Sequence, residues 1–281
     1  MALCGAVLAA GAAERFGAPK LLLPAGPGET VLSRTVKAMA QAVDGQVFVV
    51  VPQASGLHRA ALAATSHERL TLVENARSAE GLGASVAVAA MAAAAADAEG
   101  LLLMPADLPY LRPANLSRLA ARFAAERPWA AAAHVRDRPQ APAVFSPAAI
   151  AQLAGATGPR GAQALLTSPA GPISLEPVAP EELLDLDSWT AYAVAAQSLG
   201  WASEAAPAVA WMDARVQISE SDLVWSLGPS TRAYFHAGSD ATEIRGWRRE
   251  DRIELSAGGE PAAGLRLLRA AALTELARGT G

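Results

Sequence analysis

A single cysteine, Cys4, leaves no partner for an internal disulfide and no cysteine cluster for a metal, a usage that suits a reducing compartment. Basic excess is missing too: 23 Lys and Arg stand against 27 Asp and Glu, for a net charge of −4. No global positive field therefore exists to hold a nucleic-acid backbone or an anionic membrane, and any phosphate must be gripped locally. Long hydrophobic runs are also absent. The apolar stretch from Ala2 to Ala13 has no basic leader before it and is closed by Glu14 and Arg15, and Ala84–Ala96 falls short of the roughly 20 residues of a membrane helix. The expectation is a cytoplasmic protein bound to neither nucleic acid nor membrane. His58, His67, His134 and His236 show no spacing that puts two on one helix face as metal ligands. Neither a nucleophile triad nor a nicotinamide or flavin fingerprint is found.

What is present is a regular alternation. Short apolar runs at Leu3–Leu8, Gln46–Val51, Leu70–Val73 and Gly100–Pro105 read as strands. Helical patterns lie between them at Leu32–Val43, where Thr30 offers an N-cap, at Gly56–Ala64 and at Gly81–Ala96. A further helix has Pro113 near its first turn and Leu116, Leu119, Ala120 and Phe123 on one face. Parallel strands need crossover connections, so this order predicts an α/β fold with a mostly parallel sheet flanked by helices, binding its ligand beyond the carboxyl ends of the strands. After Val135 the pattern loosens. Arg136–Gln140 is polar, Ala141–Phe145 and Ile173–Val178 are strand candidates, Pro147–Ala154 is a short helix, and Ser188 can cap a closing helix through Ser198.

Four of the six tryptophans, Trp201, Trp211, Trp225 and Trp247, lie beyond Gly200. Strand candidates there are Ala208–Ile218, Asp222–Leu227, Arg232–Ala237, Glu243–Arg248 and Arg252–Leu255, followed by a helix at Ala263–Ala277. The expected division is an α/β domain over 1–199 and a small C-terminal α+β domain over 200–281.

Chemistry concentrates first in the stretch from Leu8 to Lys20, a glycine-containing loop straight after the first strand. Its small residues let backbone N–H groups approach a phosphate. Arg15 can fork onto phosphate oxygens and Lys20 can serve as a mobile point charge. It is not a P-loop, because Leu21 follows the lysine, and GxGxxG does not occur at Gly11.

Leu8-Ala9-Ala10-Gly11, Arg15, Gly17 and Lys20, followed by Leu21–Leu23 and Pro24, resemble the nucleotide loop of the MobA-like nucleotidyltransferases, and most of all that of the molybdenum cofactor cytidylyltransferases. Ala13 stands where that family has Ser. A second stretch, Asn75 to Ser85 with Gly81-Leu82-Gly83, resembles the part of the family that borders the nucleotide base. Met104-Pro105-Ala106-Asp107-Leu108-Pro109-Tyr110-Leu111 is similar to its Asp-x-Pro-[Phe/Tyr]-Leu motif, and Leu184-Asp185-Leu186-Asp187 to its second acidic motif, after which Ser188-Trp189-Thr190-Ala191 departs from Thr-Pro-Glu-Asp.

The resemblance implies nucleotide contacts from Leu8, Ala9, Ala10, Gly11, Arg15, Lys20, Asn75, Gly81 and Ser85, catalytic roles for Arg15, Lys20 and Asp107, and magnesium held by Asp107 and Asp187, with Asp185 a weaker candidate. A carboxylate or two plus waters and phosphates is what magnesium prefers. The acceptor side departs further. Gln140-Ala141-Pro142 replaces Gly-His-Pro, and Gly158-Pro159-Arg160-Gly161-Ala162 has Pro159 where the family has an acid. The implied reaction moves CMP from CTP to a small phosphorylated acceptor, molybdopterin or another cofactor precursor or sugar, with a cofactor-receiving enzyme as a further partner. A non-catalytic accessory protein that binds a nucleotide-bearing cofactor is the rival reading. An oxidoreductase is a third.

Overall fold

The computed structural model describes residues 2–11, 20–23, 25–26, 29–53, 55–62, 65 and 68–201, with the strand segments 214–218, 222–227, 231–237, 241–248 and 251–258. In chain order the principal elements are β1 (Leu3–Leu8), α1 (Val31–Ala42), β2 (Val47–Pro52), α2 (Gly56–Leu62), β3 (Leu70–Asn75), α3 (Leu82–Ala95), β4 (Gly100–Pro105), α4 (Pro113–Glu126), β5 (Ala130–Val135), β6 (Arg138–Phe145), α5 (Pro147–Leu153), α6 (Gln163–Thr167), β7 (Ile173–Pro177), α7 (Trp189–Ser198), β8 (Ala214–Ile218), β9 (Asp222–Leu227), β10 (Thr231–Ala237), β11 (Ala241–Arg248) and β12 (Asp251–Gly258). The chain forms two compact units. One comprises Met1–Ala12, Arg34–Ser55 and Thr65–Leu184, the other Ala13–Ser33, Gly56–Ala64 and Asp185–Gly281. No helix among the described residues is long and apolar enough to cross a membrane.

The first unit is built on a seven-stranded sheet in the order β3-β2-β1-β4-β6-β5-β7. β1 runs parallel to β2 and β4, β2 to β3 and β5 to β7, while β6 is antiparallel to both β4 and β5. That one reversal follows from the connection: β5 and β6 are joined by only Arg136 and Asp137, too few residues for a crossover. Six strands therefore end on one edge, at Leu8, Pro52, Asn75, Pro105, Val135 and Pro177.

Side chains alternate across the sheet with the period of two that extended backbone imposes. Cys4, Ala6 and Leu8 of β1, Leu101 and Leu103 of β4 and Phe145 of β6 share one core with Ala89, Ala90 and Ala93 of α3 and Ile150 and Leu153 of α5. The alanines of α3 let that helix lie close on the sheet. On α4, Leu116, Leu119, Ala120 and Phe123 are buried, as their spacing predicts. At the start of α1, Ser33 N–H donates to Thr30 Oγ1 at 3.1 Å, which makes Thr30 the N-cap read from the sequence.

Two elements differ from expectation. Ala130–Val135, not singled out by composition, is a strand, and β6 begins at Arg138, inside the stretch read as irregular. Pairing supplies what the local pattern lacked: β5 is bracketed by β6 and β7, and Ala130 to Ala133 are fully buried.

In the second unit, α7 is capped by Ser188, whose Oγ accepts from Ala191 N–H at 3.1 Å. Its other end is a Schellman turn: Gly200 has φ +74°, a conformation glycine adopts without penalty, and Trp201 N–H donates to Ala196 O at 2.7 Å. Buried Trp201 meets Tyr192 with ring centroids 6.3 Å apart. The strands β8 to β12 form an antiparallel meander in sequential order. Residues 208–213 and the helix expected at 263–277 lie outside the described residues.

Candidate active site

At the carboxyl edge of the first unit, β1 ends at Leu8 and Ala9 N–H donates to Val50 O at 2.8 Å, extending the ladder by one residue. Leu8, Ala9 and Ala10 are buried, so their side chains belong to the core and only their backbone can face a ligand. Gly11 is exposed, and a Cβ built there meets nothing within 4 Å among the described residues. Arg15 lies outside the described residues. Lys20, in the second unit, has its Nζ 3.5 Å from Asp187 Oδ1.

Asp107 is placed by β4. Ala106 N–H donates to Leu8 O at 3.1 Å, the last bond of that ladder, and Ala106 O accepts from Thr35 Oγ1 at 2.9 Å. The next residue, half-buried Asp107, stands past the strand end at the edge where α/β sheets receive ligands. In the second unit, Asp185 is exposed, Leu186 fully buried and Asp187 half-buried. Leu186 is thus turned inward, with a more accessible acid on either side of it in sequence.

Asn75 and Ser85 are brought together: Asn75 Nδ2 donates to Ser85 Oγ at 3.0 Å, and Asn75 Oδ1 accepts from Arg77 N–H at 2.9 Å. Both residues are buried. The pair ties the end of β3 to the first turn of α3 and so shapes the Gly81-Leu82-Gly83 bend between them. Gly83 N–H donates to Gly158 O at 2.8 Å, and a Cβ on Gly83 would lie 2.3 Å from the carbonyl carbon of Thr157. Thr157 and Gly158 are thus packed directly on the Gly81-Leu82-Gly83 bend.

One network escapes sequence reasoning. The buried Glu182 carboxylate accepts from Arg112 N–H at 3.1 Å, from Arg112 Nε at 2.9 Å and from the Asn115 side-chain amide. Burial pushes the Glu182 carboxyl up, but the Arg112 and Asn115 hydrogen bonds outweigh it and hold the group below the usual carboxylate range. The network clamps the loop that follows Asp107 onto the segment that precedes Asp185. Its partners are 67 and 70 residues apart, a separation no local pattern reports. Glu176 does similar work further along, accepting from Arg118 Nε at 2.8 Å and Arg122 Nε at 2.9 Å and so fastening α4 to β7. Among the histidines, His58 is pushed down to about 4 by burial and stays neutral at pH 7.

Known structures share this architecture. Rv0371c from Mycobacterium tuberculosis H37Rv is similar at 30% identity and a TM-score of 0.59, over 70% of this chain and 98% of that one. Its structure in complex with manganese aligns at 27% identity and a TM-score of 0.54, again over 70% and 98% of the two chains. A nucleotidyl transferase from Methanothermobacter thermautotroptrophicus shares the fold, at 21% identity and a TM-score of 0.58 over 71% of this chain and 98% of that one. No curated protein matches the sequence. The MobA-like NTP transferase domain family matches residues 5–173, from β1 into the first residue of β7 and including Gly11, Lys20, Asn75, Gly81, Ser85 and Asp107. The chain therefore belongs to the MobA-like NTP transferase domain family and is a nucleotidyltransferase of that type.

Proposed function

We propose that the protein transfers CMP from CTP to a small phosphorylated acceptor of the molybdopterin type, with magnesium as its cofactor. An oxygen of the acceptor phosphate attacks the α-phosphorus, a new P–O bond forms, and the bond from the α-phosphorus to the bridging oxygen breaks to release pyrophosphate. The backbone from Leu8 to Gly11, with Arg15 and Lys20, receives the triphosphate, and the cations stabilise the charge that grows on the departing pyrophosphate. The bend at Gly81, shaped by Asn75 and Ser85, borders the base. Asp107, Asp185 and Asp187 are three carboxylates that can each offer a metal ligand. We assign Asp107 and Asp187 as the principal ones. A bound magnesium would neutralise phosphate charge.

The observation that carries this reading is the placement of Asp107 just beyond β4, beside the exit of β1 into the nucleotide loop, within the family's matched span. CTP is the donor of choice because Ala10 follows the cytidylyl form of the loop. A divalent metal is supported by the manganese complex of Rv0371c and by the carboxylate donors. Residues 1–199 are proposed as the catalytic domain and 200–281 as a small separate domain. The test is pyrophosphate release with each nucleoside triphosphate, with magnesium, manganese or neither, and with and without molybdopterin. Release that needs metal, prefers CTP and rises with acceptor is the expected result. Nucleotide binding without any release would mean an accessory protein and overturn the reading.

A further inference from the structure

The turn between β5 and β6 opens onto a cavity of about 570 Å³, lined in part by Arg136, Arg138, Gln140, Gln163 and Pro180. The size suits a small molecule, for which sites run about 300–1,000 Å³. Among the described residues its lining carries two guanidiniums and two carboxamides and no carboxylate, an arrangement that favours an oxyanion.

The backbone has been shaped to present these groups. Arg136 and Asp137 both have positive φ, 51° and 59°, in a two-residue turn that ordinarily takes Asn-Gly. A bulky residue such as arginine adopts that conformation only at a steric cost, and such costs cluster at functional sites. Next to the turn, Ala132 pairs with Ala143 but Ala133 with Gln140, so Ala141 and Pro142 are inserted as a bulge. Bulges re-aim the residues beside them, here Gln140 and Arg138. The opposite wall is pinned, since Gln163 Nε2 donates to Pro139 O at 2.8 Å.

Strand order places the cleft. Along the carboxyl edge, Asn75 ends β3, Gly11 follows β1 and Asp107 follows β4. The turn with Arg136 lies beyond them at β5, with β6 between. At about 4.8 Å per strand, this is roughly 14 Å from β1, on the opposite side of β4 from it. A nucleotide lying over β3 to β1 leaves this end of the edge for the second substrate, which must approach from the far side for displacement at the α-phosphorus.

Resting on the transfer reaction proposed above, we propose that Arg136 and Arg138, with Gln140 and Gln163, bind a phosphate group of the acceptor and orient it toward Asp107. Gln140 stands where the family has the Gly of Gly-His-Pro, and Arg136, Arg138 and Gln163 fall in none of the motifs that resemble the family. In place of a histidine at the acceptor side, this chain uses guanidiniums from a strained hairpin.

Inorganic phosphate is the probe, titrated into the full-length protein while the side-chain amide signals of Gln140 and Gln163 are followed by NMR. Saturable shifts are expected in the wild type and in Lys20→Ala, in which the nucleotide loop is impaired. In the double variant Arg136→Gln/Arg138→Gln phosphate should bind at least fivefold more weakly, with CTP affinity within twofold of wild type. Absence of saturable shifts in the wild type, or equal phosphate affinity in the double variant, would overturn the proposal. So would a parallel loss of CTP affinity, because the cleft would then serve the nucleotide's own phosphates. If the double variant melts early, Arg136→Lys/Arg138→Lys decides: it keeps the charge but loses the two-pronged donors, so weaker phosphate binding supports the site and unchanged binding refutes it. Lack of pyrophosphate release with every nucleotide would sink the transferase reading while leaving these phosphate measurements intact.

Discussion

Individual side chains carry the sharpest expectations. Asp107 sits past the last ladder bond of β4, where its carboxylate does little for the core, so Asp107→Ala should abolish metal-dependent pyrophosphate release while the melting temperature holds. The loss should be worth several kcal/mol of transition-state stabilisation, and unchanged turnover in a folded variant would remove Asp107 from the site. Lys20→Ala should weaken CTP binding by about 1.5–3 kcal/mol, roughly ten- to a hundredfold, far more than it alters thermal stability. Calorimetric titration beside a thermal melt checks both halves of that statement. Glu182 makes a different prediction, because its carboxyl is held below the usual range in the folded protein. The unfolded chain then binds the proton more readily, so this contribution is complete above the ordinary carboxylate pKa and is lost as pH falls through the lower folded value. Glu182→Gln should be less stable than wild type at pH 7 and lose less on acidification, as measured by urea unfolding from pH 7 to 3. Equal slopes would show that the Arg112 clamp is not formed in solution. Glu182→Ala should cost about 1–3 kcal/mol, since it strips a partner from the buried Asn115 amide.

At the level of elements, the site is a set of strand ends, and what distinguishes them is how the following bend is packed. Gly11 and Gly83 make the contrast. A Cβ at Gly11 meets no described atom within 4 Å, whereas one at Gly83 would press on the Thr157 backbone at 2.3 Å. Gly83→Ala should therefore force the α3 start away from segment 157–161 and destabilise the protein by about 1–3 kcal/mol. Gly11→Ala should leave the melting temperature nearly unchanged and, if the proposed phosphate cradle includes this residue, reduce CTP affinity. If Gly11→Ala bound CTP like wild type, that glycine would not belong to the cradle. The strands and helices of the first 126 residues were legible because apolar runs and helical stripes alternate there without interruption. β5 was not, since an alanine run such as Ala130–Ala133 has no strand signature of its own and becomes a strand only by pairing with β6 and β7.

For the whole molecule, the proposed division near residue 200 bears on the end of α7. Trp201 is the residue after the Schellman glycine, bonded to Ala196 and buried beside Tyr192. A chain ending at Leu199 loses that closure, while one ending at Trp201 keeps it. The longer truncation should be the more stable of the two and should still bind CTP, since Gly11, Arg15, Lys20, Asp107 and Asp187 are all retained. Thermal melts and CTP titration of the two truncated proteins check this. A soluble chain ending at Trp201 that bound no nucleotide would place residues 202–281 in the catalytic domain.

Sequence by itself determined the α/β architecture, the helix caps at Thr30 and Ser188, and the residue types that stand at the ends of β1, β3 and β4. These depend on interactions within a few residues: an N-cap reaches three residues ahead, and a buried strand announces itself by its own apolar run. Tertiary structure alone decided that β6 inserts between β4 and β5, that Asn75 donates its amide to Ser85, that Glu182 clamps the loop after Asp107, and that Arg136 and Arg138 line a cleft at the carboxyl edge. Each of those depends on groups up to 70 residues apart meeting at one point, and such meetings are set by how the layers pack rather than by any stretch of chain read in order.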